Sequence, residues 1–320
     1  KQSILVVGSI NADTFIELTS DRLPLLGETL QAKNDTGFVL PGGKGANQAI
    51  TSARLNVETR FIGMFGNDDH AKFLWNFMEK NGVDLSCSVR LSDKPSGQAF
   101  ILLQPNGENS IIIVGGANQS WPADLTNDMK SAIKSSGIVL LQREIPSRIN
   151  VKVAQYAKTN AIPVILDCGG GSDSKMETEL LECISFLSPN EGELSQLTGL
   201  STNSEEEVVK ASMKLISFGP KSVLTTLGSR GALLVGHHAQ ICCGENFIHQ
   251  KAISIPNDRI VDTTGAGDCF TGAFAAEFVA GKDVRKAMRF ASAAASIAIQ
   301  SKGCTSSFPT RDQVESLISI

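Results

Sequence analysis

Short apolar runs alternate with amphipathic stretches along most of this chain. Runs rich in Val, Ile and Leu are typical of strands that are buried on both faces of a parallel sheet. The predicted strands are residues 3–8, 138–141, 162–167, 184–187 and 223–227. Since helical patterns lie between these runs, we predict an α/β fold with a mainly parallel central sheet and helices on both faces.

Two other β-rich segments do not follow this alternation. They cover about residues 14–40 and 97–114, and neither can easily join the parallel sheet. We expect them to form a small β-sheet lid over the carboxyl edge of the main sheet. No repeat or low-complexity linker divides the chain, so residues 1–320 are predicted to be a single domain. The exposed edge of the lid predicts a homodimer, because unpaired strand edges favour pairing.

Three stretches of the sequence have the pattern of helices. A glycine turn precedes a predicted helix over residues 43–55. The last third of the chain predicts two long helices, over residues 266–280 and 284–300, which are rich in alanine and other small residues. Small residues allow close packing, and core packing explains most of these alanines.

The composition excludes some classes of function. The chain has 320 residues, of which 42% are hydrophobic, and its formal net charge is −4. A general nucleic-acid binder needs a basic face, and no apolar run reaches the length of a membrane span. We therefore expect neither nucleic acid nor a membrane as a partner. The seven cysteines are odd in number and irregularly spaced, which predicts reduced thiols in the cytoplasm, or in the plastid stroma if a transit peptide has been removed.

A cluster of cysteine and histidine residues raises the alternative of a metal site. Cys242 and Cys243 are adjacent, with His237, His238 and His249 nearby in the sequence. Adjacent cysteines rarely supply the separated tetrahedral ligands that zinc prefers. We therefore expect an edge hairpin with buried thiols here.

The most informative motif runs from Asp262 to Asp268 with the sequence Asp-Thr-Thr-Gly-Ala-Gly-Asp. Gly265, Ala266 and Gly267 open a predicted helix, whose free N–H groups and macrodipole favour an anion. Asp268 lies within that turn. A carboxylate beside a phosphate site indicates phosphoryl transfer to a hydroxyl group, with Asp268 accepting the hydroxyl proton.

Two polar segments near the amino end each allow two interpretations. Gly43 and its neighbours before a helix form either a tight turn or a close approach to a ligand, with Asn47 suited to sugar hydroxyls. Asn11 and Asp13 follow a strand and form either an Asx-turn or a clamp for two neighbouring hydroxyls. The chain has neither a P-loop nor the dinucleotide-binding glycine fingerprint.

Two later segments are equally open. Asn190 and Glu193 follow a predicted strand, as a helix cap or as an indirect Mg²⁺ site. Residues 226–231 form a glycine-bounded turn, which is a hairpin by default and otherwise a surface for adenine and its ribose.

The chain resembles the ribokinases of the PfkB-type carbohydrate kinase family nearly from end to end. Two motifs carry the resemblance, namely Gly42-Gly43-Lys44-Gly45-Ala46-Asn47 and the run from Asp262 to Asp268, in the order and spacing of the family. The resemblance implies a ribokinase-like fold and ATP-dependent phosphorylation of D-ribose at its 5-hydroxyl. Its alternatives are a sibling sugar or nucleoside kinase and a non-catalytic family member. Residues 140–146 look more like the plant members than the bacterial ones.

The resemblance also implies individual roles, with Asp268 as the general base. The positions that match sugar-binding residues are Asn11, Ala12, Asp13, Gly43, Lys44, Gly45, Ala46, Asn47, Glu144 and Asp268. Those that match nucleotide-binding residues are Asn190, Thr226, Leu227, Gly228, Ser229, Arg230, Gly231, Gly265, Ala266, Gly267, Asp268 and Ser292. Asn190 and Glu193 match a water-mediated Mg²⁺ site. The positions that match a K⁺ site are Asp262, Thr264, Ala298, Ser301, Gly303 and Ser307.

One segment departs from the family pattern. The run Asp167-Cys168-Gly169-Gly170-Gly171 stands where bacterial ribokinases commonly have an Asn-Pro-Ala-Pro-Ala type of run. The resemblance therefore implies no structure for the wall of the site after that strand.

Overall fold

The computed structural model describes residues 2–106, 108–171 and 175–319. The strands are β1 (Ser3–Val7), β2 (Asn11–Glu17), β3 (Phe38–Gly42), β4 (Glu58–Ile62), β5 (Met64–Phe65), β6 (Val83–Asp84), β7 (Val89–Arg90), β8 (Gly97–Leu103), β9 (Asn109–Val114), β10 (Ile138–Leu141), β11 (Val164–Asp167), β12 (Phe186–Ser188), β13 (Ser222–Thr226), β14 (Ala232–Gly236) and β15 (Phe247–Gln250). The α-helices are α1 (Lys44–Arg54), α2 (Asp69–Lys80), α3 (Asn127–Ser135), α4 (Ser147–Thr159), α5 (Thr178–Leu181), α6 (Glu191–Thr198), α7 (Glu205–Ile216), α8 (His237–Cys243), α9 (Ala266–Val279), α10 (Val284–Ala298) and α11 (Arg311–Ile318).

A nine-stranded sheet forms the centre of the fold, in the order β15-β14-β13-β12-β11-β10-β1-β4-β6. In this order, the neighbouring strands from β13 across the sheet to β6 all pair in parallel. Strands β14 and β15 pair antiparallel at the other edge. Successive side chains of β1 alternate between the two faces. Ile4 and Val6 join one hydrophobic core, while Leu5 and Val7 join the other. This burial on both faces explains the unbroken apolar runs in the sequence.

Helices cover both faces of this sheet. The core with Ile4 includes apolar residues of α1, α2, α9 and α10, and the core with Leu5 includes those of α3, α4, α6 and α7. The α/β architecture predicted from the sequence is therefore confirmed. None of the helices in the described ranges is both long enough and apolar enough to cross a bilayer.

The lid is a separate four-stranded sheet in the order β3-β2-β8-β9. Strands β2 and β8 are parallel, and the other two pairings are antiparallel. The predicted bounds of the first segment, 14–40, were too narrow, because Asn11 pairs with both Gly42 and Gly97. The lid strands therefore extend inward to the residues that were predicted to bind sugar.

The described structure corrects three details. Strand β11 begins at Val164 rather than at residue 162, because Pro163 has no N–H to donate. Strand β12 lies at Phe186–Ser188 rather than at 184–187. Helix α10 ends at Ala298, two residues short of the prediction.

The edge hairpin expected at Cys242 and Cys243 is wrong. These residues end helix α8, which Gly244 terminates in a left-handed conformation, and their thiols are only half-buried. All seven cysteines are free. Nowhere in the described residues do three His, Cys, Asp or Glu side chains gather as metal ligands.

Candidate active site

Asp268 lies in the first turn of α9, and its side chain is buried. Its carboxylate accepts a hydrogen bond from Asn47 Nδ2 at 2.8 Å and lies 3.3 Å from both Lys44 Nζ and Gln48 Nε2. These three partners are at positions i, i+3 and i+4 of α1, so they share one face of that helix. The two motifs that were singled out in the sequence therefore meet at one carboxylate.

Burial raises the pKa of Asp268 to about 6. The Lys44 ammonium opposes this rise, whereas the Asp167 carboxylate adds to it. A carboxyl group with a pKa near 6 is ionised at neutral pH and is a stronger base than an exposed aspartate. Such a group is suited to accept a proton from a hydroxyl during phosphoryl transfer.

The amino end of α9 provides free backbone donors beside Asp268. In the described part of the chain, the N–H groups of Gly267 and Asp268 donate to no protein acceptor, whereas Ala266 N donates to Thr263 O at 3.2 Å. A Cβ atom built on Gly267 meets no heavy atom within 4 Å. The turn therefore offers two amides and open space to an anion, together with the positive end of the helix dipole.

The predicted sugar residues surround this turn from the lid and from α1. Asn11, Ala12 and Asp13 begin strand β2, so the Asx-turn considered for them does not form. Asn11 Oδ1 accepts a hydrogen bond from Asn118 Nδ2 at 2.8 Å. The Glu144 carboxylate accepts a hydrogen bond from Lys44 N at 2.9 Å.

Two acceptors in this pocket are buried without a hydrogen-bond partner among the described residues, namely Asp13 Oδ1 and Asn47 Oδ1. Burial, followed by the nearby charges of Glu144 and Asp268, raises the pKa of Asp13 to about 8. Buried polar atoms in native proteins usually have partners. These two oxygens are therefore available for the hydroxyl groups of a ligand. Of the remaining predicted residues, Gly43 caps α1, and Gly45 and Ala46 are buried in its first turn.

The two segments that were predicted to bind the nucleotide, around Asn190 and Thr226, lie side by side. Asn190 and Thr226 form an isolated β-bridge, and Thr226 N donates to Pro189 O at 3.1 Å. Asn190 and Glu193 form a reciprocal capping box on α6, with both hydrogen bonds at 2.8 Å. The capping interpretation is therefore confirmed. Burial raises the pKa of Glu193, against the hydrogen bond from Asn190.

The turn after β13 is the hairpin that its glycines predicted. Leu227 is buried, and Gly228–Arg230 form a short 3-10 helix before Gly231 leads into β14. Arg230 is anchored by Thr202 O and Asn203 O, both at 2.9 Å. The Ser229 backbone therefore lies in a fixed turn. Ser292 is buried in α10, where its Oγ has no partner within the described ranges.

The predicted cation residues come from two loops that meet at Asp262. Its Oδ1 accepts from Thr264 N at 2.9 Å and its Oδ2 from Gly303 N at 3.0 Å. Burial acts to raise the pKa of Asp262, but these hydrogen bonds lower it. Ser307 Oγ donates to Cys304 O at 2.7 Å, Ala298 ends α10 and Ser301 is exposed. The structure thus brings the two loops together.

Comparisons with known proteins agree with this geometry. A family model described as pfkB family carbohydrate kinase matches residues 1–311. The chain is 46% identical to ribokinase from Arabidopsis thaliana over 318 residues, which cover 98% of this chain and 80% of that protein. It is 36% identical to ribokinase from Bacillus subtilis, with 99% and 100% covered. The solved structure of Arabidopsis thaliana ribokinase complexed with ribose and ATP matches with a TM-score of 0.91 and 45% identity, covering 100% of this chain and 99% of that one.

The chain belongs to the PfkB family of carbohydrate kinases. The resemblance found in the sequence and the ribokinase-like fold that it implied are therefore confirmed. In this carbohydrate kinase the motifs that were predicted to hold the base, the sugar and the phosphates lie next to one another. The roles of their individual residues stay predictions.

Sequence reasoning missed several residues of this site. Gln48, Asn118 and Asp167 contact residues that were predicted to be functional, namely Asp268, Asn11 and Lys44 respectively. The position of Gln48, four residues after Lys44 in a predicted helix, was a usable signal. Asn118 carried no such signal, since it reaches Asn11 across the fold from a 3-10 helix.

Proposed function

We propose that this chain catalyses the ATP-dependent phosphorylation of D-ribose at its 5-hydroxyl, which yields D-ribose 5-phosphate and ADP. The observation that carries the proposal is the buried Asp268 carboxylate, which shares one helical turn with two free amides. The ribokinases named above, at 46% and 36% identity over nearly the whole chain, support D-ribose as the sugar.

In the proposed reaction the sugar oxygen attacks the γ-phosphorus of ATP while the bond to the β-phosphate oxygen breaks. Asp268 accepts the proton of the sugar hydroxyl, and ADP leaves. The amides of Gly267 and Asp268 stabilise negative charge on the transferred phosphoryl group. Because little covalent chemistry is required of the protein, the positions of these groups provide most of the catalysis.

The sugar pocket is proposed to lie between the lid and α1. Asp13 Oδ1 and Asn47 Oδ1 are buried without partners in the described structure, so sugar hydroxyls can donate to both. Glu144 and the amide group of Asn11 add further polar contacts. Since the lid carries Asn11 and Asp13, a bound sugar ties the lid to the base of the site and excludes water.

We also propose that Mg²⁺ accompanies ATP and that K⁺ activates the enzyme. A bound divalent ion supplies neutralisation of phosphate charge. The amide oxygen of Asn190 already accepts a hydrogen bond in the capping box, which disfavours direct coordination of a metal ion. Asn190 and Glu193 therefore suit a hydrated Mg²⁺ that they contact through water. The carbonyl oxygens of Asp262, Thr264 and Gly303 accept no hydrogen bond from the described residues, which fits a cation held by backbone oxygens.

Three broader features belong to the same proposal. The family match over residues 1–311 supports a single domain. The free cysteines support a reducing compartment such as the cytoplasm. The exposed apolar edge strand β9 supports a homodimer that forms through the lid.

A substrate panel tests the proposed reaction. ADP release is measured with ribose, deoxyribose, fructose and adenosine, each with wild-type protein and with Asp268→Asn. We expect ribose to give the highest kcat/KM and Asp268→Asn to lower kcat by about 10²–10⁴-fold while ribose still binds. Asp84→Asn is the matched control, because Asp84 pairs with Arg60 at a distance from the site.

Three results would contradict the proposal. Preference for another sugar or for adenosine would contradict the assignment of ribose as the substrate. Near-normal turnover by Asp268→Asn would show that Asp268 is not the base. ATP turnover that does not depend on any sugar would overturn the kinase reaction itself.

A further inference from the structure

The ammonium group of Lys44 lies between two buried carboxylates. Lys44 Nζ is 3.3 Å from Asp268 Oδ1 and 3.5 Å from Asp167 Oδ1. The Lys44 side chain is 26% exposed, whereas those of Asp167 and Asp268 are 8% and 5% exposed. The ammonium therefore has one side toward solvent and is shared by two charges that are nearly removed from water.

Gln48 makes a second connection between the same two carboxylates. Its Nε2 donates to Asp167 Oδ2 at 2.9 Å and lies 3.3 Å from Asp268 Oδ1. Its Oε1 accepts from Gln142 Nε2 at 2.7 Å. This hydrogen bond from Gln142 turns the nitrogen of the Gln48 amide toward the two carboxylates.

Both oxygens of Asp167 are engaged. Oδ2 accepts from Gln48, and Oδ1 accepts from Gly169 N at 2.8 Å. Gly169 also leaves room for Lys44, because a Cβ atom there would lie 2.3 Å from Lys44 Cε and 2.6 Å from Lys44 Nζ and would displace the end of the lysine side chain. The segment after β11 thus both holds Lys44 and makes room for it.

We propose that Asp167 is a positioning residue for phosphoryl transfer, which holds the Lys44 ammonium and the Gln48 amide beside the Asp268 carboxylate. Asp167 acts through these two side chains and has no contact with the reacting atoms. The inference rests on the proposed function, because it concerns the residue that accepts the proton. It also assigns a role to the start of the segment 167–171, which departs from the family pattern in the sequence.

The charges around Asp268 determine how its titration responds to changes at Asp167. The groups that face it are Lys44 from α1, Asp167 after β11, Glu144 after β10 and Asp13 from β2. The nearby thiols of Cys269 and Cys304 are neutral, because burial raises their pKa well above the usual value. Burial acts to lower the pKa of Lys44, but Asp167 and Asp268 raise it well above the usual value, so Lys44 is charged.

The substitution Asp167→Asn removes a charge and keeps the shape of the side chain. It removes a negative neighbour of Asp268 and leaves Lys44 with one carboxylate partner, and both effects favour ionised Asp268. We therefore expect the acidic limb of the pH profile of kcat/KM for ribose to move to lower pH, by about one unit. Asp167→Ala also removes the anchor of Gln48 and Lys44, and it should lower kcat in addition.

Gly169→Ala should shift the acidic limb of the pH profile in the opposite direction. The new methyl group displaces the flexible end of Lys44 from both carboxylates and changes no charge. Because Asp268 then loses its cation, the acidic limb should move to higher pH. This variant keeps the test available if Asp167→Asn does not fold, since the atoms closest to the new methyl group belong to the flexible end of Lys44, and Asp167 Oδ1, 3.0 Å from it, needs to shift only slightly.

A double-mutant cycle with Lys44→Met checks whether Asp167 acts through Lys44. In the Lys44→Met background, Asp167→Asn should shift the acidic limb less than it does in the wild type. Asp84→Asn is the matched control and should leave the profile unchanged. An unshifted profile in Asp167→Asn, a shift of equal size with and without Lys44, or a shift to lower pH in Gly169→Ala would overturn the inference. Each of these results leaves ribose-dependent ATP turnover intact, whereas loss of that turnover in the wild type would overturn the proposed function instead.

Discussion

Individual carboxyl groups in this site differ in charge because their surroundings differ. Asp262 accepts hydrogen bonds from two backbone amides, and these lower its pKa although burial opposes them. Asp13 is buried near other carboxylates and has a buried oxygen without a partner in the described structure, so its pKa rises to about 8. The burial of this carboxyl group therefore lowers the stability of the ligand-free protein.

Asp13→Asn should stabilise the ligand-free protein at neutral pH. The pKa of Asp13 is about 8 in the folded state and 3.8 as its ordinary value, so the folded state holds a proton that the unfolded state releases. Stability is therefore lost as pH rises from about 4 to about 8. The gain in melting temperature of Asp13→Asn over the wild type should grow across that interval and stay constant above it.

Thermal unfolding at a series of pH values, without sugar, makes this measurement. Asp84→Asn serves as a control of opposite sign, because hydrogen bonds from Arg60 and Ser86 lower the pKa of Asp84 against the effect of burial. A gain for Asp13→Asn that does not vary with pH would show that titration of Asp13 is not its cause.

The sequence predicted some residues of the site more readily than others. Asp268 and Asn47 lie in glycine-rich motifs, whose local turns need those residue types. Asp167 looked like the end of an apolar strand, and its contact with Gln48 depends on the packing of β11 against α1. No periodic pattern within either segment encodes a contact between residues 119 positions apart.

Among the elements, the contact between α1 and α9 determines the geometry of the site. A Cβ atom on Gly272 would lie 2.9 Å from both Gln48 O and Thr51 Cβ, so glycine is needed for the two helices to approach. This approach brings Asp268 to Asn47. The helices were predictable from their periodicity, but their distance was not, because it depends on side-chain volume at a contact between distant segments.

Arg54, at the end of α1, connects this helix to the loop after α10, which carries Ser301, Gly303 and Ser307 of the predicted K⁺ site. Arg54 Nη1 donates to Thr305 O at 2.7 Å and to Phe308 O at 3.0 Å. We expect Arg54→Met to loosen residues 301–308 and to raise the K⁺ concentration for half-maximal activity several-fold, with little change in the KM for ribose. Titration of activity with K⁺, Na⁺ and Li⁺ checks this.

Arg289→Met is the control for Arg54→Met. Arg289 also donates to a carbonyl near the carboxyl end, Ile318 O at 2.9 Å, but from an exposed position on α10. It should leave the K⁺ response unchanged. Equal activity of the wild type in all three salts would remove the K⁺ site from the proposal.

For the molecule as a whole, the lid leaves an apolar edge uncovered. Strand β9 is the last strand of the lid sheet, and Ile111, Ile112, Ile113 and Val114 are each exposed by 42% to 57%. A run of exposed apolar residues on an unpaired edge is typical of an interface. The α/β class and the lid followed from the sequence, whereas the order of the strands came only from tertiary pairing.

Ile112→Lys should convert the proposed homodimer to a monomer. A charge on β9 is costly to bury in an interface, so the mass measured by light scattering should fall by half. Met213→Lys is the matched control, because Met213 is a similarly exposed apolar residue on α7. A wild type that is monomeric at all concentrations, or an Ile112→Lys protein that stays dimeric, contradicts this interface.

Two of the four connections between the lid and the rest of the molecule lie beside the candidate site and are very short. Residues 8–10 alone separate β1 from β2, and Gly43 alone separates β3 from α1. Asp13 lies on the lid and Asn47 lies on α1, so the two side chains belong to opposite sides of the link at Gly43. A molecule that bridges these two side chains fastens the lid to α1 across that link, so filling of the pocket and the distance between the lid and α1 are thermodynamically coupled.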